Sequence, residues 1–403
     1  MNRQIQLLIL SALIGCANVA RAEASEAQAA ATPFYVWQEE LTQKPGALLR
    51  QEPLEEELVI EEASRGVRIL YASHGWDDQL VAVSGEILLP KGSPPEGGWP
   101  VLAWSHGTLG VADICAPSFK GRSERDRKYH NKWLAEGYAI VSTDYEGLGT
   151  PGGHTYLHCK SEANGNIDAV QAVHQLGLNL SKRWLVFGQS QGGQGALCTG
   201  AYAGASATDL DFRGTLATAP AVNWKERFMA GRADDPNPFI AFSLLLGRGF
   251  EAFEPTFEIE ETFSAKAMEL MPLTDSLCIG DLMGVGMQAN LNQGESLKVF
   301  PIGKGPGVMA AAEKMEVPLT GWSGEPVYIG QGSADPLVPF SDVLSYSSAL
   351  CEQGIAVTLD VYEGAGHSGP LNQGFDAFSA WVADRFADKP ADNNCHKINE
   401  HKN

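Results

Sequence analysis

The 403-residue chain is poor in charge, and poorest in positive charge. Only 19% of its residues are charged, with 29 Lys and Arg against 49 Asp and Glu, for a formal net charge of −20. No basic stripe is present to neutralise phosphates, which excludes nucleic acid as a partner and disfavours anionic membrane surfaces. The acidic balance favours solubility and tolerance of salt. The seven cysteines include no C-x-x-C pair, so zinc and thiol-redox classes find no support. There is no internal repeat, no phosphate loop and no zinc-protease signature, and no metal or other cofactor is implied. The apolar run Ile5 to Ile14 is too short to span a membrane as a stable helix.

That short run does have a reading. Met1-Asn2-Arg3 supplies a basic end, Ile5 to Ile14 an apolar core, and Ala20-Arg21-Ala22 a small-x-small cleavage site, so residues 1–22 are expected to be a signal peptide. Leu13-Ile14-Gly15-Cys16 offers a second route, a bacterial lipobox with Cys16 lipidated and residues 17–31 as a tether. Both routes predict export, secreted or periplasmic. Without Cys16 six cysteines remain: Cys115, Cys159, Cys198, Cys278, Cys351 and Cys395. An even number in an oxidising compartment predicts disulfides.

The rest is an ordinary globular composition, 44% hydrophobic. Residues 23–57 read as an N-terminal extension. From about Leu58 a regular pattern begins. Val67 to Ala72 and Leu80 to Leu89 read as antiparallel strands around the turn His74 to Asp78. Buried strands follow at Val101 to Trp104, Tyr138 to Val141, Arg183 to Phe187 and Gly214 to Ala217. Helices are expected at Glu124 to Glu136 and Asn166 to Leu176. Strands return at Pro326 to Gly330 and Val357 to Tyr362, with helices at Phe340 to Leu350 and Phe375 to Phe386. This alternation predicts an α/β fold: a mostly parallel sheet covered by helices on both faces. Residues 58–220 and 320–390 are its two parts. Residues 221–319 break the rhythm, being far longer than the usual sheet connection, and predict an inserted, mainly helical cap or lid domain. Its apolar residues, Phe239, Phe242, Leu244 to Leu246, Phe250, Phe253, Met271, Met283 and Met287, serve either its own core or a roof over a site. Residues 391–403 read as a polar tail.

The chemistry rests on Gly188-Gln189-Ser190-Gln191-Gly192, which alone in the chain has the form G-x-S-x-G. It lies between the strand at Arg183 to Phe187 and a small-residue helix starting near Gly193, the setting of a nucleophile elbow. Gly188 and Gly192 let strand and helix approach, so that Ser190 stands above the sheet. A nucleophilic serine needs a base and a group to orient that base, in the order Ser, acid, His on an α/β-hydrolase sheet. Asp335 follows the strand at Pro326 to Gly330, whereas Asp342 is helical and Asp360 lies inside a strand. Of nine histidines, His367 sits on the glycine-rich loop after the last strand. His130 and His174 fall on helices, and His396 and His401 in the tail. The oxyanion needs two backbone donors. Gln191, next after the nucleophile, supplies one. Thr108, in the loop Ser105-His106-Gly107-Thr108, is chosen for the other, with Gly107 next. His106 is assigned to loop structure rather than to the base.

Ser142-Thr143-Asp144-Tyr145-Glu146-Gly147-Leu148-Gly149-Thr150, the elbow with Gly193, and the loops of Asp335 and His367 together resemble the secretory lipase family of α/β-hydrolases, the lipase A type. The resemblance runs from about Val101 to Phe386 and is weakest in the cap. It implies a serine ester hydrolase with a large cap lining an acyl tunnel, with the family's nucleophile at Ser190, acid at Asp335 and base at His367. It also implies disulfides. Cys115–Cys278 would pin the cap near the site, Cys351–Cys395 would fasten the tail, and Cys159–Cys198 would lie beside the nucleophile helix. The oxyanion loop departs from the lipase A version toward a generic His-Gly loop. Asp144 and Glu146 are assigned to shaping their loop. The expected activity is hydrolysis of small-molecule or lipid carboxylic esters by a monomer, with lipid-interface contact through the cap. Polyester-, feruloyl-ester- or amide-cleaving activity, or a non-catalytic binding protein, are the alternatives on the same fold.

Overall fold

In a computed structural model of the chain, residues 33–206 and 209–402 are described. The signal peptide expected over residues 1–22, its cleavage site and the lipidation alternative at Cys16 lie outside the described residues.

Among the described residues nine strands form one sheet: β1 (Leu48–Pro53), β2 (Ala63–His74), β3 (Leu80–Pro90), β4 (Trp99–Ser105), β5 (Ala139–Thr143), β6 (Leu180–Gln189), β7 (Asp211–Thr218), β8 (Val327–Gly332) and β9 (Val357–Tyr362). Their spatial order is β1-β2-β3-β5-β4-β6-β7-β8-β9. The first three pair antiparallel, and every pair from β5 to β9 is parallel. The central strands are unbroken apolar runs, such as Trp184-Leu185-Val186-Phe187, because both of their faces are covered. One face packs on α1 (Glu124–Ala135) and α9 (Phe375–Phe386), with Trp133, Phe187 and Phe378 in its core. The other packs on α2 (Cys159–Val173) and α3 (Gln191–Ala203). α1 starts where the Ser123 side chain accepts the Asp126 N–H, a conventional N-cap.

From β4 the chain crosses first to the neighbour on one side, β5, and then to the neighbour on the other, β6. The loops leaving the carboxyl ends of β4 and β6 therefore diverge, and a crevice opens between them. After β7 the chain leaves the sheet for a helical insert, α4 (Trp224–Phe228), α5 (Ile240–Phe253), α6 (Ile279–Ala289) and α7 (Val308–Met315) with shorter helical segments and loops between, before it re-enters at β8. α8 (Phe340–Glu352) follows β8. Phe250, Phe253, Leu244, Leu245 and Met271 are buried inside the insert, while Met287 stands exposed.

Three features differ from the sequence reading. The sheet starts at β1, inside the expected extension 23–57, because β1 pairs along β2 and covers its edge. α2 begins at Cys159, seven positions before the expected Asn166. Its first turns carry Ser161, Asn164 and Gly165, residue types that usually mark loops; here Ser161 donates to Glu146, Asn164 to His74 O, and Gly165 lies close against Thr143 of β5. The expected polar tail 391–403 folds as α10 (Cys395–Lys402). Asn394 bonds both the N–H and the carbonyl of Leu359 on the outer edge of β9, Ile398 is buried, and a Cys351–Cys395 disulfide ties the helix to α8. A polar segment thus closes an edge strand that would otherwise be open.

Candidate active site

β6 ends at Gln189 and α3 begins at Gln191, so a single residue makes the turn. Ser190 makes it with φ 62° and ψ −120°, a strained conformation for a residue with a side chain. Its N–H donates to Thr218 O at 3.0 Å, which holds the turn against β7. The close approach requires glycine on both sides. A Cβ at Gly188 would lie 2.1 Å from the Gly192 carbonyl oxygen, and one at Gly192 would lie 1.8 Å from the Ser105 carbonyl oxygen.

Ser190, His367 and Asp335, from the ends of β6, β9 and β8, meet above the sheet. His367 Nε2 is 2.8 Å from Ser190 Oγ, and His367 Nδ1 is 2.7 Å from Asp335 Oδ2. The Asp335 side chain is fully buried. Its Oδ1 accepts the N–H groups of Leu337 at 2.8 Å and Val338 at 3.0 Å. Burial pushes this carboxyl upward, but the bond and charge of His367 with the two backbone N–H groups outweigh it and hold Asp335 below the usual carboxylate range. The Asp335 loop is also held from the insert: Arg227 of α4 donates to Leu337 O at 2.7 Å while lying over the Trp224 ring.

The residues expected to donate to an oxyanion lie beside this relay. Thr108 and Gln191 both line the cavity with Ser190. Gln191 is the first residue of α3, where backbone N–H groups have no helical acceptor. Thr108 Oγ1 meets Tyr156 Oη at 2.7 Å. The loop is braced from below by the buried Tyr145, whose hydroxyl donates to His106 O at 2.9 Å and meets Ser105 Oγ at 2.7 Å. The His106 ring faces the carbonyls of Gly107 and Asp144, far from the role of a base to Ser190, and burial pushes it below the usual histidine range. Asp144 accepts from Ser84 and from the N–H and hydroxyl of Ser118, and Glu146 accepts from Trp76, Thr155 and Ser161. Both carboxyls serve the loop's own shape.

A cavity of about 670 Å³ opens from Ser190 into the insert. Phe239, Phe242, Leu246, Leu297, Phe300 and Ile302 supply its apolar wall. The insert's hydrophobic residues thus divide: Phe250 and Phe253 make its own core, and Phe239, Phe242 and Leu246 face the cavity. Cys115 and Cys278 are bonded, joining the stretch past the oxyanion loop to the start of α6 across 163 residues. Closing so long a loop stabilises by about 5 kcal/mol in the chain-entropy account. Cys159 and Cys198 join α2 to α3. Among the described residues no cluster of His, Cys, Asp and Glu has the form of a metal site.

Tyr145, Tyr156, Arg227 and Glu162 were not singled out by the sequence. Tyr145 lies in the Asp-Tyr-Glu-Gly run that carried the family resemblance, and that run was its signal. The others join the site only through tertiary contact.

The sheet order, the one-residue elbow and the loops at the carboxyl ends define an α/β-hydrolase. Structures of the same fold include Candida antarctica lipase A in its closed state (TM-score 0.75, 18% identity, 89% of this chain and 86% of that chain covered). The rice cell wall degrading esterase LipA from Xanthomonas oryzae is also similar (TM-score 0.66, 19% identity, 85% and 98% covered). So is a putative hydrolase from Legionella pneumophila (TM-score 0.66, 17% identity, 83% and 97% covered). No curated protein shows significant similarity to the sequence. The secretory lipase family model matches residues 126–394; the chain belongs to that family and is a carboxylic-ester hydrolase.

Proposed function

We propose that the protein is an exported serine ester hydrolase that works through Ser190, His367 and Asp335 by a covalent acyl-enzyme, with the insert as a cap over the acyl-binding cavity. The observation that carries this reading is the unbroken relay from Ser190 Oγ to His367 (2.8 Å) to Asp335 (2.7 Å), whose Ser190 end lines a cavity with an apolar wall. His367 Nε2 takes the Ser190 proton as Oγ attacks the acyl carbonyl. The Gln191 and Thr108 N–H groups stabilise the oxyanion. His367 returns its proton to the departing alcohol, leaving the acyl group on Ser190. Water, deprotonated by His367, then releases the acid. Asp335 keeps His367 in the tautomer that presents a free Nε2.

The aromatic and aliphatic wall supports an acyl chain as the group bound in the cavity. The secretory family and the three disulfides support export to an oxidising compartment. A chain-length series of p-nitrophenyl esters tests the whole reading. Turnover is expected to be lost in Ser190→Ala and to peak at a medium or long acyl chain. Retained turnover in that variant would overturn the mechanism, and a peak at acetate would overturn the cavity's role. Contact with a lipid interface through the cap predicts a rise in rate once substrate passes its solubility limit. Intact-mass analysis of exported protein separates a mature chain starting at Glu23 from one lipidated at Cys16.

A further inference from the structure

Beneath the elbow lies a carboxyl that the mechanism above does not use. Glu162, one turn into α2, is completely buried. Its Oε1 accepts the side-chain amide of Gln191 at 2.8 Å. Gln191 is itself buried, so its side chain points down into the protein while its backbone N–H belongs to the site above. Around Gly195, one turn further along α3, a Cβ would meet Ser105 Oγ at 2.4 Å and Glu162 Oε2 at 3.0 Å. Glu162 is therefore wedged between the first turn of the nucleophile helix and the end of β4, the two segments that supply the oxyanion donors. The Cys159–Cys198 disulfide closes the same α2–α3 contact at the other side of Glu162.

We propose that Glu162 is a positioning residue for the oxyanion hole, holding the Gln191 backbone N–H in place through the Gln191 side chain. The inference rests on the reading of Ser190 as nucleophile and adds to it. Glu162 does not line the cavity, so it has no contact through which to alter binding of the ester. Its effect falls on the step in which the oxyanion forms.

The surroundings also fix its charge. The groups facing Glu162 are the Tyr145 and Tyr156 hydroxyls, the Gln191 amide, the Leu157 backbone N–H, and His154 across Gln191. Among the described residues no Lys or Arg pairs with it, and burial keeps His154 uncharged by lowering it to about 4. Burial likewise pushes the Glu162 carboxyl up to about 8, against the pull of the Gln191 amide and the Leu157 N–H. Glu162 is thus neutral at pH 7. As pH rises through about 8 it loses its proton, and the new negative charge lies under the place where the oxyanion develops. The ionised carboxylate still accepts the Gln191 amide, so it is the added charge that predicts a fall of kcat on the alkaline side.

The test compares wild type, Glu162→Gln and Glu162→Leu on one soluble p-nitrophenyl ester from pH 6 to 10, with kcat counted per serine labelled by an alkyl phosphonate. Glu162→Leu is expected to lower kcat roughly 10- to 100-fold with KM within about threefold. Glu162→Gln, which keeps the acceptor oxygen and cannot ionise, is expected to recover most of that loss and to lack the alkaline fall near pH 8. Wild-type kcat in Glu162→Leu, or an unaltered alkaline limb in Glu162→Gln, overturns the proposal. Should Glu162→Leu not fold, the pH profile of the isosteric Glu162→Gln decides alone. Ser190→Ala run alongside separates the two readings: turnover there sinks the nucleophile assignment, whereas its absence with wild-type behaviour of both Glu162 variants sinks only the role of Glu162.

Discussion

The sheet and the insert meet at one cavity but shape it by different physics. The sheet places the proposed triad through backbone geometry: a one-residue turn at Ser190, loops at strand ends for Asp335 and His367, and hydrogen bonds of 2.7–2.8 Å between them. The insert contributes apolar side chains, Phe239, Phe242 and Leu246, whose contact with a ligand is proportional to area and nearly free of direction. The first arrangement fails when an atom moves by a fraction of an ångström. The second tolerates substitution and changes what fits.

This contrast can be broken most severely at Asp335. Asp335→Asn keeps the shape but favours the wrong His367 tautomer, and kcat is expected to fall by on the order of 10⁴ in steady-state ester hydrolysis. A fall of less than tenfold would mean that the buried carboxylate only supports its loop. The join between the two regions comes next. Replacing Cys115 and Cys278 together by Ser is expected to lower unfolding free energy by up to about 5 kcal/mol in denaturant titration. No change would show that the insert is held by packing alone. Third is the elbow. Gly192→Ala sets a methyl against Ser105 O and is expected to cost about 3 kcal/mol in the same titration, with activity lost. Last comes the apolar wall. Phe242→Trp is expected to shift the preferred p-nitrophenyl ester toward shorter chains by about tenfold in relative kcat/KM, with melting temperature little altered. A uniform loss across all chain lengths would instead place Phe242 in the support of the site.

Legibility in the sequence followed the same divide. The strands at Val357 to Tyr362 and the helix at Phe375 to Phe386 were read to the residue, because apolar runs and their turn signals are local properties. The order Ser, acid, His expected along one parallel sheet pointed to Asp335 and His367 from position alone, and the fold puts His367 within hydrogen-bond distance of both Asp335 and Ser190. The early turns of α2 were not readable, since Ser161, Asn164 and Gly165 have weak helix preference and are held by tertiary contacts, Ser161 with Glu146, Asn164 with His74 O and Gly165 against Thr143 of β5. Nor was α10, a polar helix whose fold depends on the Cys351–Cys395 bond and on Asn394 meeting the edge of β9.

By itself, then, the sequence determined the class of chemistry. Strand periodicity and a constrained serine elbow are written locally, and parallel-sheet topology leaves few places for the acid and the base. Only the tertiary structure decided which insert side chains face Ser190, which support the insert, and that Glu162 lies under Gln191. Those relations join residues tens of positions apart through side-chain packing, and no local pattern in the chain encodes them.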